Sequence, residues 1–235
     1  MDVVKVSNLN YTFPGQNTPL LREINFSLEE GEFVLLCGES GSGKSTLLNC
    51  LNGIIPHLWQ GKLEGEVWLK GNRVSQCNLA QLVSLAGTVF QDVEGQIFQL
   101  KVQDELVFGL ENLGLPKSEI TERIQGVLPL VNLPENSYIQ PLSGGQKQRL
   151  VIGAILAMLP QLIILDEPLA NLDLPSAHNL LRFLSLLCEQ GKTIIMVEHR
   201  LDLAASYVDR LLYLEEGTIK ENLREKKQIL QKEKD

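Results

Sequence analysis

The chain has 235 residues, 21 Lys and Arg against 29 Asp and Glu, and a formal net charge of −8. That length allows one well-cored domain, and that charge argues against a general nucleic-acid-binding surface, because no basic excess exists to neutralise phosphates. Four cysteines (Cys37, Cys50, Cys77, Cys188) without Cys-x-x-Cys spacing, and three dispersed histidines, argue against a disulfide frame or a zinc site and predict reduced thiols.

Residues 3 to 36 read as β-rich. Val3-Val4-Lys5-Val6 leads to a Pro14-Gly15 turn, and Ile24-Asn25-Phe26-Ser27-Leu28 alternates apolar with polar. Phe33 to Cys37 is a short apolar run between Gly31 and Gly38, as a buried parallel strand should be. Next comes Gly38-Glu39-Ser40-Gly41-Ser42-Gly43-Lys44-Ser45-Thr46, a complete P-loop, and Thr46 to Asn52 continue as a helix stopped at Gly53. In such a loop the glycines let backbone N–H groups wrap a phosphate. Lys44 places positive charge on the β/γ-phosphates, and Ser45 offers a hydroxyl to Mg²⁺.

Glu64 to Leu69 and the Gly71-Asn72 turn predict a hairpin, and Thr88-Val89-Phe90 a short buried strand. From about 92 to 160 the pattern is mostly helical, interrupted by Pro116, Pro129, Pro134 and Pro141, which predicts a helical lobe inserted in an α/β core. Within it, Leu142-Ser143-Gly144-Gly145-Gln146 opens a helix with exposed amides, a second phosphate-binding start. Two such starts in one chain suggest two chains sandwiching a nucleotide. The longest apolar stretch, Leu150 to Leu165, is broken by Pro160 and Gln161 and is too short to span a bilayer; a helix and then a buried strand explain it better.

Strand and helix then alternate: 162–165 as strand, 176–190 as helix, 193–197 as strand, 201–208 as helix, 211–214 as strand. Continuous apolar strands between helices imply a parallel sheet covered on both faces. The charged tail from Lys220 reads as a solvated helix. The N-terminus lacks an apolar signal segment, which predicts a cytosolic protein.

Asp166 and Glu167 end the apolar run Leu162 to Leu165. In a P-loop protein the first acid holds Mg²⁺ and the second polarises an attacking water. Glu198-His199 follows the strand 193–197 in the same way, placing a histidine where α/β sheets bind ligands.

With these motifs in place, the chain resembles the ATP-binding subunit of ABC transporters from about residue 3 to 220. The resemblance implies a P-loop NTPase core of the ABC ATPase type, α/β in class, with an N-terminal antiparallel β subdomain. The core would comprise 1–91 and 161–220, the lobe about 92–160, and a tail 221–235. ATP would lie between Gly38–Thr46 of one subunit and Ser143, Gly144, Gly145 and Gln146 of another, identical or paralogous. Glu167 and His199 would be catalytic, and Asp173 in Asn171-Leu172-Asp173 would form the D-loop. Gln91 would join Ser45 and Asp166 on Mg²⁺, and Phe13 would stack on adenine, an aromatic face without the usual tyrosine hydroxyl.

The stretches Phe90 to Phe98, Asp104 to Asn112, Asn52 to His57 and Val197 to Asp202 are similar to the energy-coupling factor importers of vitamins and transition metals. That branch implies integral-membrane coupling and substrate-binding subunits, no nucleic acid, and a peripheral place on the cytoplasmic face of the cell membrane. The segment from Gln91 to Phe108 would dock the membrane partner. Pro168-Leu169-Ala170 and Asp92-Val93 depart from the family's more usual residues, which bears on coupling rather than on hydrolysis.

An export ATPase or a soluble ABC protein stays open as an alternative. A DNA-repair ATPase would need a long coiled-coil insertion between the two motifs, where only about a hundred residues stand. A regulatory module would be expected to lack the catalytic acid.

Overall fold

The computed structural model describes residues 2–170, 172–225, 228, 229 and 231. The first strand, β1 (Asp2–Thr12), changes the phase of its alternation midway. Val4 and Val6 face the core first, then Leu9 and Tyr11. A bulge supplies the extra residue: Asn8 has φ +47, and the pairing shifts register here against both neighbouring strands. Opposite it stands Gly65, where a Cβ would come within 2.2 Å of the Asn8 carbonyl oxygen, so only glycine fits. With β2 (Leu21–Glu29), and after it β4 (Lys62–Leu69) and β5 (Asn72–Arg73), β1 forms an antiparallel sheet in the order β2-β1-β4-β5. This is the β subdomain expected from the sequence.

Between these strands run β3 (Phe33–Cys37), the helix α1 (Lys44–Leu51) and a kinked turn α2 (Ile54–His57). Further along come α3 (Leu79–Leu85), β6 (Ala86–Val89), α4 (Val102–Asn112), α5 (Lys117–Val131) and α6 (Gly144–Ala157). The chain closes with β7 (Leu162–Asp166), α7 (Leu174–Glu189), β8 (Thr193–Val197), α8 (Leu201–Ala204), β9 (Arg210–Glu215) and β10 (Thr218–Leu223). The second sheet has the order β10-β9-β3-β8-β7-β6, parallel throughout except for β10.

Strand β3 divides two hydrophobic cores by simple alternation. Phe33, Leu35 and Cys37 face the helical side, joined there by Leu106, Leu110, Ile124, Leu150 and Leu184. Val34 and Leu36 face the β subdomain, with Leu9, Tyr11, Leu28, Leu47 and Leu51. Each such buried side chain contributes ~1.5–3 kcal/mol. The helical lobe therefore has no core of its own; it shares one with the sheet. Cys37, Cys50 and Cys188 are buried thiols outside any disulfide, and burial pushes the pKa of Cys50 and Cys188 up to about 12.

Three expectations need correction. Residues Lys220 to Leu223 are not a helical tail but the end of β10, antiparallel to β9, so the boundary at 220/221 cuts through a strand. Their alternating polar residues suit an edge strand, and charge obscured that pattern. Most of the tail beyond it lies outside the described residues. Pro129 does not end the helix: α5 runs through it to Val131, and the loss of one i→i−4 bond is confined to two residues before the left-handed C-cap at Asn132. The helix expected over 201–208 ends at Ala204. No helix among the described residues is long and apolar enough to cross a membrane.

Candidate functional site

The order β3-β8-β7-β6 lines up four loops along one sheet edge: 38–43 after β3, 198–200 after β8, 167–170 after β7, and 90–91 after β6. Ligands bind outside such carboxyl ends in parallel sheets. Leu36 pairs with Val197 and Asp166 with Val197, so the three central loops leave the sheet at one level.

The loop after β3 is pressed against its neighbour. At Gly38 (φ +147) a Cβ would lie 2.0 Å from the carbonyl oxygen of Leu214 on β9, which no side chain could tolerate. Helix α1 begins at Lys44 behind Gly43, with its first amides facing the loop's mouth. Nζ of Lys44 donates to the carbonyls of Gly38 (2.9 Å) and Glu39 (2.8 Å). Burial lowers the pKa of Lys44, opposed by the carboxylates of Glu167 and Asp166. The hydroxyl of Ser42 is buried without a partner in the protein. A ring of amides, one ammonium and an unpaired hydroxyl suits a phosphate chain. Glu39, Ser40 and Gly41 lie on the loop's open side, and Thr46 is buried in α1.

Across from it, Glu167 is held at both carboxylate oxygens. His199 Nε2 meets Oε1 at 3.1 Å, and the Gln91 amide nitrogen donates to Oε2 at 2.8 Å. Glu167 also stands at φ +50, which costs a non-glycine residue ~1–3 kcal/mol, and its own N–H is tied to the Val197 carbonyl. Asp166 has its pKa raised, chiefly by burial; the Ser45 hydroxyl works against that. Its Oδ1 is buried with no protein partner. An orphaned carboxylate oxygen, a serine hydroxyl and the side-chain oxygen of Gln91 are hard donors of the kind Mg²⁺ takes alongside water and phosphate oxygens. The residues present fit that ion.

The remaining residues expected from the sequence lie elsewhere. Ser143 caps α6: its hydroxyl accepts from the Gln146 N–H, and the Gln146 side chain accepts from the Ser143 N–H. The side-chain oxygen of Gln146 is thus engaged in the cap, while the amides of Gly144 and Gly145 stay free of it. Ser143, Gly145 and Gln146 line a shallow cavity of about 100 Å³ with Arg149, Leu172 and Ser176, and no P-loop residue lines it. Gly144 instead borders a cavity of about 470 Å³ that reaches Gln91 and Glu167. Asp173 caps α7 by accepting from the Ser176 N–H, and its pKa is lowered by the Ser176 hydroxyl first and by that N–H second. Asn171 lies outside the described residues. Phe13 packs edge-on against Tyr11 at 5.0 Å and lines a separate cleft with Pro14, Gln16 and Lys62.

Sequence reading missed four supporting residues. Glu198, almost fully buried, and Arg200 contact the loop after β7. Gln96 accepts from the Phe90 N–H and donates to the Thr88 carbonyl, fixing the turn at Gln91. Glu105, buried in α4, accepts from the N–H groups of Phe98 and Gln99. Only Glu105 stands in a regular helix, where a buried acid in an otherwise apolar face was the available signal; the other three lie in loops or a short turn and carried none.

A groove of about 450 Å³ runs between the two lobes, lined by Leu58, Leu82, Phe90, Phe98, Phe108 and Met158 among others. Phe98 is 68% and Leu100 77% exposed. Val102 and Leu106, counted in the expected docking face, are fully buried and pack the lobe instead.

A family model described as ABC transporter matches residues 21–170. The first curated relatives are putative ABC transporter ATP-binding proteins, among them one from Methanosarcina mazei that is 42% identical over 92% of this chain. They are longer, and the chain spans 34% to 45% of the length of the first four. The putative HMP/thiamine import ATP-binding protein YkoD of Bacillus subtilis is 40% identical over 92% of the chain and 40% of its own length. Among solved structures, cbiO1 from Clostridium perfringens, part of the ABC transporter complex cbiONQ, superposes with a TM-score of 0.89. It is 31% identical and covers 99% of this chain and 92% of its own. An ATP-binding cassette in a dimeric post-hydrolysis state, bound to ADP and Pi, gives 0.77 at 28% identity, over 94% and 98%.

Proposed function

The chain belongs to the ABC transporter ATP-binding family, and from that premise we propose that it binds and hydrolyses ATP to drive import through membrane partners. The observation that carries this is the convergence of Lys44, Asp166, Glu167, His199 and Gln91 at one sheet edge, while the signature start of α6 lines a cavity without P-loop residues.

The P-loop amides and Lys44 hold the β- and γ-phosphates. Ser45, Asp166 and Gln91 would hold Mg²⁺, which when bound neutralises phosphate charge. Glu167 is held by His199 and Gln91 with its carboxylate in place to orient a water and accept its proton. The water oxygen attacks the γ-phosphorus, the bond to the bridging oxygen breaks, and ADP and phosphate leave. Ser143 and Gly145 line a cavity without P-loop residues, and Gly144 borders a second one with Gln91 and Glu167 but again no P-loop residue, so the three serve the nucleotide of a second subunit, identical or paralogous. The ADP-bound dimeric cassette supports that arrangement.

The cargo reading is a vitamin or a transition-metal ion, with the subunit held peripherally at the cytoplasmic face of the membrane. It rests on the motifs shared with the energy-coupling factor branch and on the likeness to YkoD. The groove between the lobes, lined by Phe90 and Phe98, receives the membrane subunit together with the exposed Leu100 two residues beyond Phe98. Phosphate release from Mg·ATP by the purified chain tests the activity; no release and no nucleotide binding would overturn it. Single cysteines at Phe98 and Leu100 should crosslink to a co-purified membrane partner, and crosslinks only from another face would overturn the docking surface.

A further inference from the structure

We propose that Glu198 and Arg200 are positioning residues that clamp the loop after β7 to the loop bearing His199, so that Glu167 and its histidine move as one rigid unit. This rests on the hydrolytic reading of the site and adds to it two residues outside the reacting groups.

The clamp is built from both sides of the histidine. Oε2 of the buried Glu198 carboxylate accepts from the Leu169 N–H at 3.1 Å. Its Oε1 accepts from the N–H groups of His199 (2.8 Å) and Arg200 (3.2 Å). One carboxylate thus bridges two loops, and each loop supplies only donors to it. The guanidinium of Arg200 runs the other way, donating to the carbonyls of Leu169 (3.3 Å) and Leu172 (3.2 Å). Leu169 is therefore fixed at its N–H by Glu198 and at its carbonyl by Arg200.

Two residues before it stands Glu167, with its left-handed backbone. Such a conformation persists only when its surroundings over-determine it. Three bonds do so here: the Glu167 N–H to the Val197 carbonyl, the Ala170 N–H to the Glu167 carbonyl, and the Leu169 N–H to Glu198. The same loop leads on through Leu172, which lines the cavity of Ser143 and Gly145, to the cap of α7 at Asp173. A rigid clamp at Leu169 thus joins the acid of one site to the surface that meets the second subunit.

The carboxylate is the discriminating chemistry. Glutamine at 198 keeps the volume, but its NH₂ must face an N–H on one loop or the other, so one side of the bridge opens. The test uses the full chain carrying Glu198→Gln, with Arg200→Lys as an independent variant should the first not fold. The expected result is a kcat lowered about tenfold or more with Mg·ATP affinity within about twofold of wild type. Hydrogen exchange at the Leu169 amide should accelerate by a similar factor while that of the β7 amides is unchanged. Wild-type kcat with wild-type exchange at Leu169 would overturn the clamp. So would equal losses in kcat and affinity with faster exchange throughout the sheet, which mark general loosening. If wild-type protein hydrolyses no ATP, the reading of the site falls; the exchange at Leu169 still decides whether the clamp exists.

Discussion

The sheet edge and the start of α6 both carry a phosphate-binding loop, yet only one of them is supplied by its own chain. At the edge, Lys44, Asp166, Glu167, His199 and Gln91 hold or face one another. At α6 the cap is completed by Ser143 and Gln146 alone, and the cavity beside it holds no group suited to phosphate chemistry from β3, β8 or β6. On the proposed reading the difference teaches that the two halves of a nucleotide site come from two chains, so that the unit that carries the motifs is smaller than the unit that works.

Glu167→Gln breaks the complete side of the comparison. It keeps volume and removes the charge that orients water, so kcat should fall by roughly 10²-fold or more with ATP binding retained. Phosphate release and calorimetry on one preparation check both halves, and near wild-type turnover would exclude Glu167 as the base.

Gly145→Asp breaks the incomplete side. A Cβ at Gly145 meets Ser176 and Leu172 no closer than 3.5 Å, so the variant should fold. Its carboxylate would meet a neighbour's γ-phosphate with a repulsion of ~4 kcal/mol at short range, which should all but abolish turnover in the homodimer. Mixing it with Lys44→Ala should restore activity, because one site of the mixed dimer then has both an intact P-loop and an intact signature. No restoration would place both motifs on one nucleotide within one chain.

Lys44→Ala sharpens the contrast between binding and chemistry. Losing a charged donor to phosphate costs ~1.5–3 kcal/mol, so affinity for Mg·ATP should fall by about 10- to 100-fold by calorimetry. Unchanged affinity would rule out the P-loop reading.

The smallest effect concerns the lobe. Burial raises the Glu105 carboxyl above its ordinary 4.5, while the amides of Gln99 and Phe98 pull it back. Folding therefore favours its protonated form, so stability is highest below 4.5 and declines as pH rises through the raised value. Glu105→Gln should remove that decline, leaving the variant more stable by about 1 kcal/mol or less at neutral pH. Thermal melts across the acid range decide, and parallel curves for the two proteins would show that Glu105 carries no such effect.

The parts legible in the sequence were those written locally. A P-loop between strand and helix, and the acids closing Leu162 to Leu165, declare themselves through spacing and apolar runs. Glu198 did not, since its meaning lies in Leu169, 29 residues away in sequence. Strand β10 was hidden because Lys220 and Glu221 drew attention to charge, whereas its pairing with β9 is what orders it. Gln146 was read as a ligand group because its motif sits at a phosphate site; only the structure shows that its side-chain oxygen also completes the cap of α6. Val102 and Leu106 looked available for docking because burial is not visible in composition.

If Phe98 and Leu100 dock the membrane partner as proposed, their exposure has a further consequence for the subunit before assembly. A side chain designed to sit against a partner is, until that partner arrives, an adhesive patch on a freely diffusing protein. Produced alone, the chain should be the less soluble species, and co-production with its membrane partner should raise the recoverable amount before any change in turnover can be seen. On that reading subunit stoichiometry would become a matter of colloidal stability, with surplus copies lost by clumping and assembled ones spared.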